Sequence, residues 1–94
     1  MTPALVDACA RELRDRWASP LPEGWRVVYG PRAMSDLEGG VVLNVGVDGP
    51  RGEHAGARVH AGSVRAASMG HARLAAELVG ELADTLRRVL GGDR

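Results

Sequence analysis

The chain has 94 residues, with twelve Arg balancing twelve Asp and Glu, 45% apolar residues and one Cys. That size gives a single domain spanning 1–94, and the composition is that of a folded globular chain rather than a disordered one. Zero formal charge argues against coating nucleic acid or an anionic membrane. A lone Cys excludes an internal disulfide and suits a reducing, cytoplasmic compartment. No apolar run approaches the ~20 residues of a membrane span. Met1-Thr2-Pro3-Ala4 carries no basic stretch, so no secretory leader is expected.

Every basic residue other than the three His is Arg, and Lys, Ile, Phe and Gln are absent. This is the usage of a very GC-rich genome, such as that of an actinobacterium or one of its phages. The missing Lys therefore says nothing about chemistry selected at particular sites.

In chain order, the first expected element is a helix over about 3–18. Thr2 is placed to cap it and Pro3 suits its first position. Leu5, Val6, Cys9, Ala10, Leu13 and Trp17 recur at helical spacing. Asp7–Arg11, Arg11–Asp15 and Glu12–Arg16 are i,i+4 pairs on the polar side. Ser19-Pro20 stops the helix, because a residue before proline leaves the α region, and residues 20–24 form a stiff connector.

A strand over about 25–29 comes next, with Trp25, Val27 and Tyr29 on one face and Arg26 and Val28 on the other. Gly30-Pro31 is read as its end and 31–40 as a loop that folds Met34 and Leu37 back onto the core. The second strand, 41–48, alternates Val41, Leu43, Val45 and Val47 against Val42, Asn44, Gly46 and Asp48. Asp48-Gly49-Pro50-Arg51-Gly52 is turn-rich and leads to a return strand over about 57–64. Ala57, Val59, Ala61 and Ser63 are expected inward, and Arg58, His60, Gly62 and Val64 outward.

The last element is a helix over about 68–90. Its stripe is Leu74, Ala75, Leu78, Val79, Leu82, Leu86, Val89 and Leu90. Ser68 is its expected N-cap and Gly91-Gly92 its stop. Arg73–Glu77 and Asp84–Arg88 are i,i+4 pairs. Gly80 interrupts the helix at a cost of about 1 kcal/mol against Ala. The expected fold is thus an α/β (α+β) two-layer sandwich of order α-β-β-β-α. A mainly antiparallel three-stranded sheet carries both helices on one face.

The candidates for chemistry each have a simpler explanation. His54, His60, His71, Cys9 and Asp48 match no metal-ligand spacing, so no metal is assigned. Ser68 and His71 stand one helical turn apart, without an orienting acid or an oxyanion-hole motif. No catalytic residue and no cofactor-binding residue is therefore assigned. Gly46, Gly49 and Gly52 beside Arg51 do not open a helix, so a hairpin turn explains them better than a phosphate cradle. Cys9 on the apolar stripe reads as a small buried hydrophobe. Residues 51–73 place Arg51, Arg58, Arg65 and Arg73 against Glu53 alone, a local basic bias whose simplest reading is a solvated face. No aromatic residue lies in that window, which disfavours nucleic acid as a partner. The mixed charges of the last helix disfavour a membrane surface.

What stands out is a half-apolar outer sheet face between two open edges, which need covering. The expected interface comprises Val28, Val42, Asn44, Arg51, His54, Arg58, His60 and Val64. Its partner would be another copy of the chain or a neighbouring structural subunit.

An amphipathic helix, a strand ending in Arg26-Val27-Val28-Tyr29-Gly30-Pro31, a hairpin from Val41–Asp48 through Ala57–Val64 and a closing helix over Ala72–Leu90 form a pattern of elements. It resembles that of small tail-terminator and head-to-tail joining proteins of long-tailed phages. The resemblance covers most of the chain but matches no diagnostic motif and transfers no functional residue. It implies a ring-forming, non-enzymatic virion protein, with loops 31–40 and 48–57 making contacts between subunits or with the tail tube. A small adaptor that docks one protein through the same sheet face is the competing reading, and a small enzyme using His60, His71 and Ser68 is a third.

Overall fold

The protein is represented by a computed structural model in which residues 4–18, 21–36 and 38–91 are described. They form α1 (Ala4–Arg16), β1 (Arg26–Ser35), β2 (Val41–Asp48), β3 (His54–Ala61), α2 (Ser63–Ser68) and α3 (His71–Val89). The three strands make one antiparallel sheet in the order β1-β2-β3. Helix α1 lies over β1 and against α3, and α3 lies over β3 and β2. The two-layer sandwich is therefore present, with one short helix added between β3 and α3.

The core arises from three periodicities. Leu5, Cys9 and Leu13 recur every fourth residue along α1. Leu74, Ala75, Leu78, Val79, Leu82 and Leu86 stripe α3. Val41, Leu43, Val45 and Val47, on alternate positions of β2, meet both stripes, with Ala57 and Ala61 from β3. Burying a leucine as completely as Leu43, Leu74, Leu78, Leu82 and Leu86 stabilises by roughly 1.5–3 kcal/mol each. The expected caps and stops at Thr2, Pro3, Ser19-Pro20 and Gly92, and the inward turn of Leu37, lie outside the described residues.

Strand β1 departs most from expectation. It does not end at Gly30-Pro31, a cis peptide, but runs on to Ser35. Pro31 lacks an N–H, which an edge strand tolerates at an irregularity of its ladder. Pairing with β2 resumes at Arg32↔Asn44. Between Val27 and Tyr29, and again between Tyr29 and Arg32, β1 spends one more residue than β2. These are bulges, and the first turns Tyr29 to the face opposite Val27. Tyr29 therefore lies over Gly46 on the outer face instead of lining the core. Met34, expected to fold inward, pairs with Val42 and is exposed.

The turn after β2 is tighter than expected, and β3 starts at His54 instead of about 57. The Gly49 N–H donates to the Glu53 carbonyl at 2.9 Å, and Gly52 takes a φ of 82°. Ala57 and Ala61 point inward as expected and Val59 packs partly against the core. Ser63 and Val64 belong to no strand. The chain turns at Gly62 into α2, leaving Val64 84% exposed. Arg65 ties α2 to α3 through Glu77 at 3.1 Å and Glu81 at 2.8 Å.

The last helix is split. Met69, with φ −124° and ψ 151°, and Gly70, with φ −65° and ψ 146°, leave helical geometry, so α3 begins at His71 without a side-chain cap. Ser68 does not cap it: its hydroxyl donates to the Arg65 carbonyl in the last turn of α2. At the far end the Gly91 N–H donates to the Arg88 carbonyl and Gly91 takes a φ of 84°, the left-handed stop that glycine favours. Val89, expected in the stripe, is 51% exposed, whereas Leu90 packs partly against the core.

Of the expected helix pairs, Glu12–Arg16 stands at 3.4 Å and Arg73–Glu77 at 3.7 Å. Asp84 pairs with Arg87 at 2.6 Å, one position nearer than the expected Arg88, which turns to Thr85. Such exposed pairs contribute well under 1 kcal/mol each.

Candidate functional site

The outer sheet face is built in four cross-strand rows: Arg26, Asp48 and His54; Tyr29, Gly46 and Gly56; Arg32, Asn44 and Arg58; Met34, Val42 and His60. Residues directly opposite in an antiparallel sheet project on the same side, so each row is a set of neighbours.

Each end row contains a histidine held by an aspartate. His54 Nδ1 is 2.7 Å from Asp48 Oδ1. At the other end, His60 Nε2 meets Asp36 Oδ2 in the β1–β2 loop. Asp36 is the organiser of that loop. Its Oδ1 also accepts the backbone N–H of Glu38 and of Gly40. These contacts, that with His60 foremost, hold its carboxyl below the ordinary carboxylate value.

The middle rows hold the aromatic and the arginines. Tyr29 lies across Gly46, and the Arg32 guanidinium sits 4.7 Å from the centre of its ring, a cation–π contact. Arg32 Nε donates to Asn44 Oδ1 at 2.9 Å. A groove of about 390 Å³ runs beside Tyr29, lined by Val28, Gly46, Asp48, His54 and Gly56. A second groove of similar size lies between α1 and β1, lined by Ala10, Leu13, Trp17, Pro31 and Ala33.

The expected interface residues are only partly brought together. Asn44, His54, Arg58 and His60 share the outer face. Val42 shares it too, but is only 6% exposed between Met34 and His60. Val28 is 56% exposed within the first bulge of β1. Arg51 lies at the hairpin tip, where its N–H donates to Glu53 Oε1 at 2.8 Å and holds that carboxyl below its ordinary value. Val64 is removed from the face altogether because α2 replaces the end of the strand.

The expected basic patch over 51–73 is not one surface. Arg65 and Arg73 are both engaged by Glu77, and Arg65 by Glu81 as well. The face gains Arg26 and Arg32 from β1 instead. Sequence reasoning misses Tyr29 because the first bulge of β1 reverses its face, and Arg32 and Asp36 because Gly30-Pro31 reads as the end of the strand. A glycine-proline step inside an edge strand is the available signal.

The residues considered for catalysis or metal binding stand apart. Ser68 bonds the Arg65 carbonyl, His71 opens α3 in an exposed position, and His54 and His60 occupy opposite ends of the sheet face. Cys9 is fully buried, and burial pushes its thiol up to about 11. Among the described residues no three His, Cys, Asp or Glu side chains gather as a metal site. No helix of the described residues is long and apolar enough to cross a membrane. Comparison of the chain with protein-family models, with curated proteins and with solved structures finds no match.

Proposed function

We propose that this chain is a non-enzymatic structural subunit that assembles with further copies of itself through the β1 side of its sheet. The observation that carries this reading is the distribution of exposed apolar side chains. Of the six large ones among the described residues, Val27, Val28, Tyr29 and Met34 all belong to β1, an edge strand. An edge strand with an apolar fringe loses water-exposed surface when a second chain covers it. The balanced charge of the chain favours a second copy as the cover, because copies meet without net repulsion. The dispersal of Ser68, His71, His60 and Cys9 supports a role without catalysis.

A contact between β1 and a different surface of the next copy is heterologous, and closes as a ring when the rotation allows. That geometry, with the element order, favours a tail-terminator or neck component of a long-tailed phage as the setting. The test is sedimentation equilibrium of the parent chain beside Val28→Glu and Val64→Glu. The proposal expects a multimer that Val28→Glu reduces to monomer and Val64→Glu leaves intact. A parent chain that is strictly monomeric, or equal sensitivity to both substitutions, overturns it.

A further inference from the structure

We infer that the row Arg32, Asn44 and Arg58 is a binding site for a phosphate group. Most arginines of the helical layer have counter-ions: Arg14, Arg16, Arg65, Arg73 and Arg87 each reach a carboxylate. Arg32 and Arg58 do not, among the described residues. Arg32 is instead fixed by neutral groups, the Tyr29 ring and the Asn44 amide oxygen. Its planar guanidinium is thereby oriented before any anion arrives, while its charge is left uncompensated.

Asn44 is oriented by the same contact. Arginine only donates, so the amide atom facing it is the oxygen, and the amide's two N–H donors turn elsewhere. They meet no acceptor among the described residues, and the next side chain in the row is Arg58, also without one. Two guanidiniums and an amide N–H₂ thus stand on three adjacent strands with no acceptor between them. Arg32 and Arg58 are two strand spacings apart, about 10 Å, a span that two arginine side chains close around one tetrahedral anion. Asp36 and Asp48 do not fill the gap, because each is held by its histidine at an end of the face. A phosphate group matches this donor set, since guanidinium pairs with phosphate oxygens through two parallel bonds.

The group can come from free phosphate or from a phosphodiester chain, and the experiment separates these. Inorganic phosphate and a short oligothymidylate are titrated separately into ¹⁵N-labelled protein at constant ionic strength. Side-chain amide signals of Asn44 and guanidinium signals of Arg32 and Arg58 are followed. Saturable shifts at these three side chains are expected, with affinity about tenfold weaker in Arg58→Gln. Asn44→Asp, which puts a carboxylate between the arginines, abolishes the shifts, and Arg11→Gln on α1 leaves them unchanged. Tighter binding of the oligonucleotide with a steep salt dependence identifies a phosphodiester source, and binding of phosphate alone identifies the free ion. Absence of shifts with both probes overturns the inference. So does binding that survives in Asn44→Asp, or shifts that track protein concentration rather than either probe.

Discussion

The Tyr29 ring occupies the space that a β-carbon on Gly46 would need. The glycine is therefore a packing requirement of the outer face, and the bulge that turns Tyr29 outward and the bare backbone beneath it form one device. Gly46→Ala should destabilise the fold by about 1–3 kcal/mol through overpacking. The double variant with Tyr29→Ala should recover most of that loss. Urea denaturation of the two single variants and the double variant measures the coupling. Additive effects would show that the ring and the glycine do not oppose one another.

Gly80 has the opposite character. It lies on the exposed side of α3, and a β-carbon built on it meets nothing within 4 Å. Gly80→Ala should raise stability by about 0.5–1 kcal/mol, from helix propensity and a less flexible unfolded chain. The denaturation midpoint should rise with its slope unchanged. A fall in stability would mean that the bare face of α3 is packed against something in solution.

Asp36 sets an acid limb. Its folded-state carboxyl is held below the ordinary value of 3.8, so its stabilisation is complete above that value and is lost as pH falls through the lowered one. Asp36→Asn should flatten the decline of stability below about pH 4. It should not abolish it, since Glu53 is likewise lowered by the Arg51 N–H and contributes its own slope. Denaturation midpoints of the parent and variant through the acid range test this. An unchanged slope would mean that the His60 contact does not persist in solution.

Cys9 should be inert while the chain is folded. It is fully buried, and its thiol is raised to about 11, leaving little thiolate at neutral pH. Its labelling by a thiol reagent should track the unfolding equilibrium and accelerate with denaturant. Rapid labelling of the native chain would mean that α1 detaches from the sheet far more readily than its buried Leu5 and Leu13 imply.

The residues legible in the sequence are those governed by local periodicity. The stripes Leu5-Cys9-Leu13 and Leu74 to Leu86, and the alternation of Val41 to Val47, obey one rule along their length and form one core. Tyr29 escapes that rule because alternation carries no memory of a bulge: the first extra residue reverses its face, and the second, between Tyr29 and Arg32, restores the original parity. Met34 escapes it because Gly30-Pro31 reads as the end of the strand, which in fact continues to Ser35. Val64 and Ser68 escape it for another reason. The sequence from 57 to 64 supports strand alternation, and no local pattern displays the break at Gly62, after which the chain enters α2. At the candidate site, β2 and β3 supply Asn44, Arg58 and His60 as expected. Arg32, which completes the row, lies beyond a proline whose missing N–H reads as a strand end.

Light scattering on the unmodified chain, from low to high micromolar concentration, decides whether the subunit assembles. The expected mass is a whole multiple of 9.9 kDa, held or approached as concentration rises. A constant mass of one chain across the range would refute self-assembly, and the apolar fringe of β1 would then be a solvated edge.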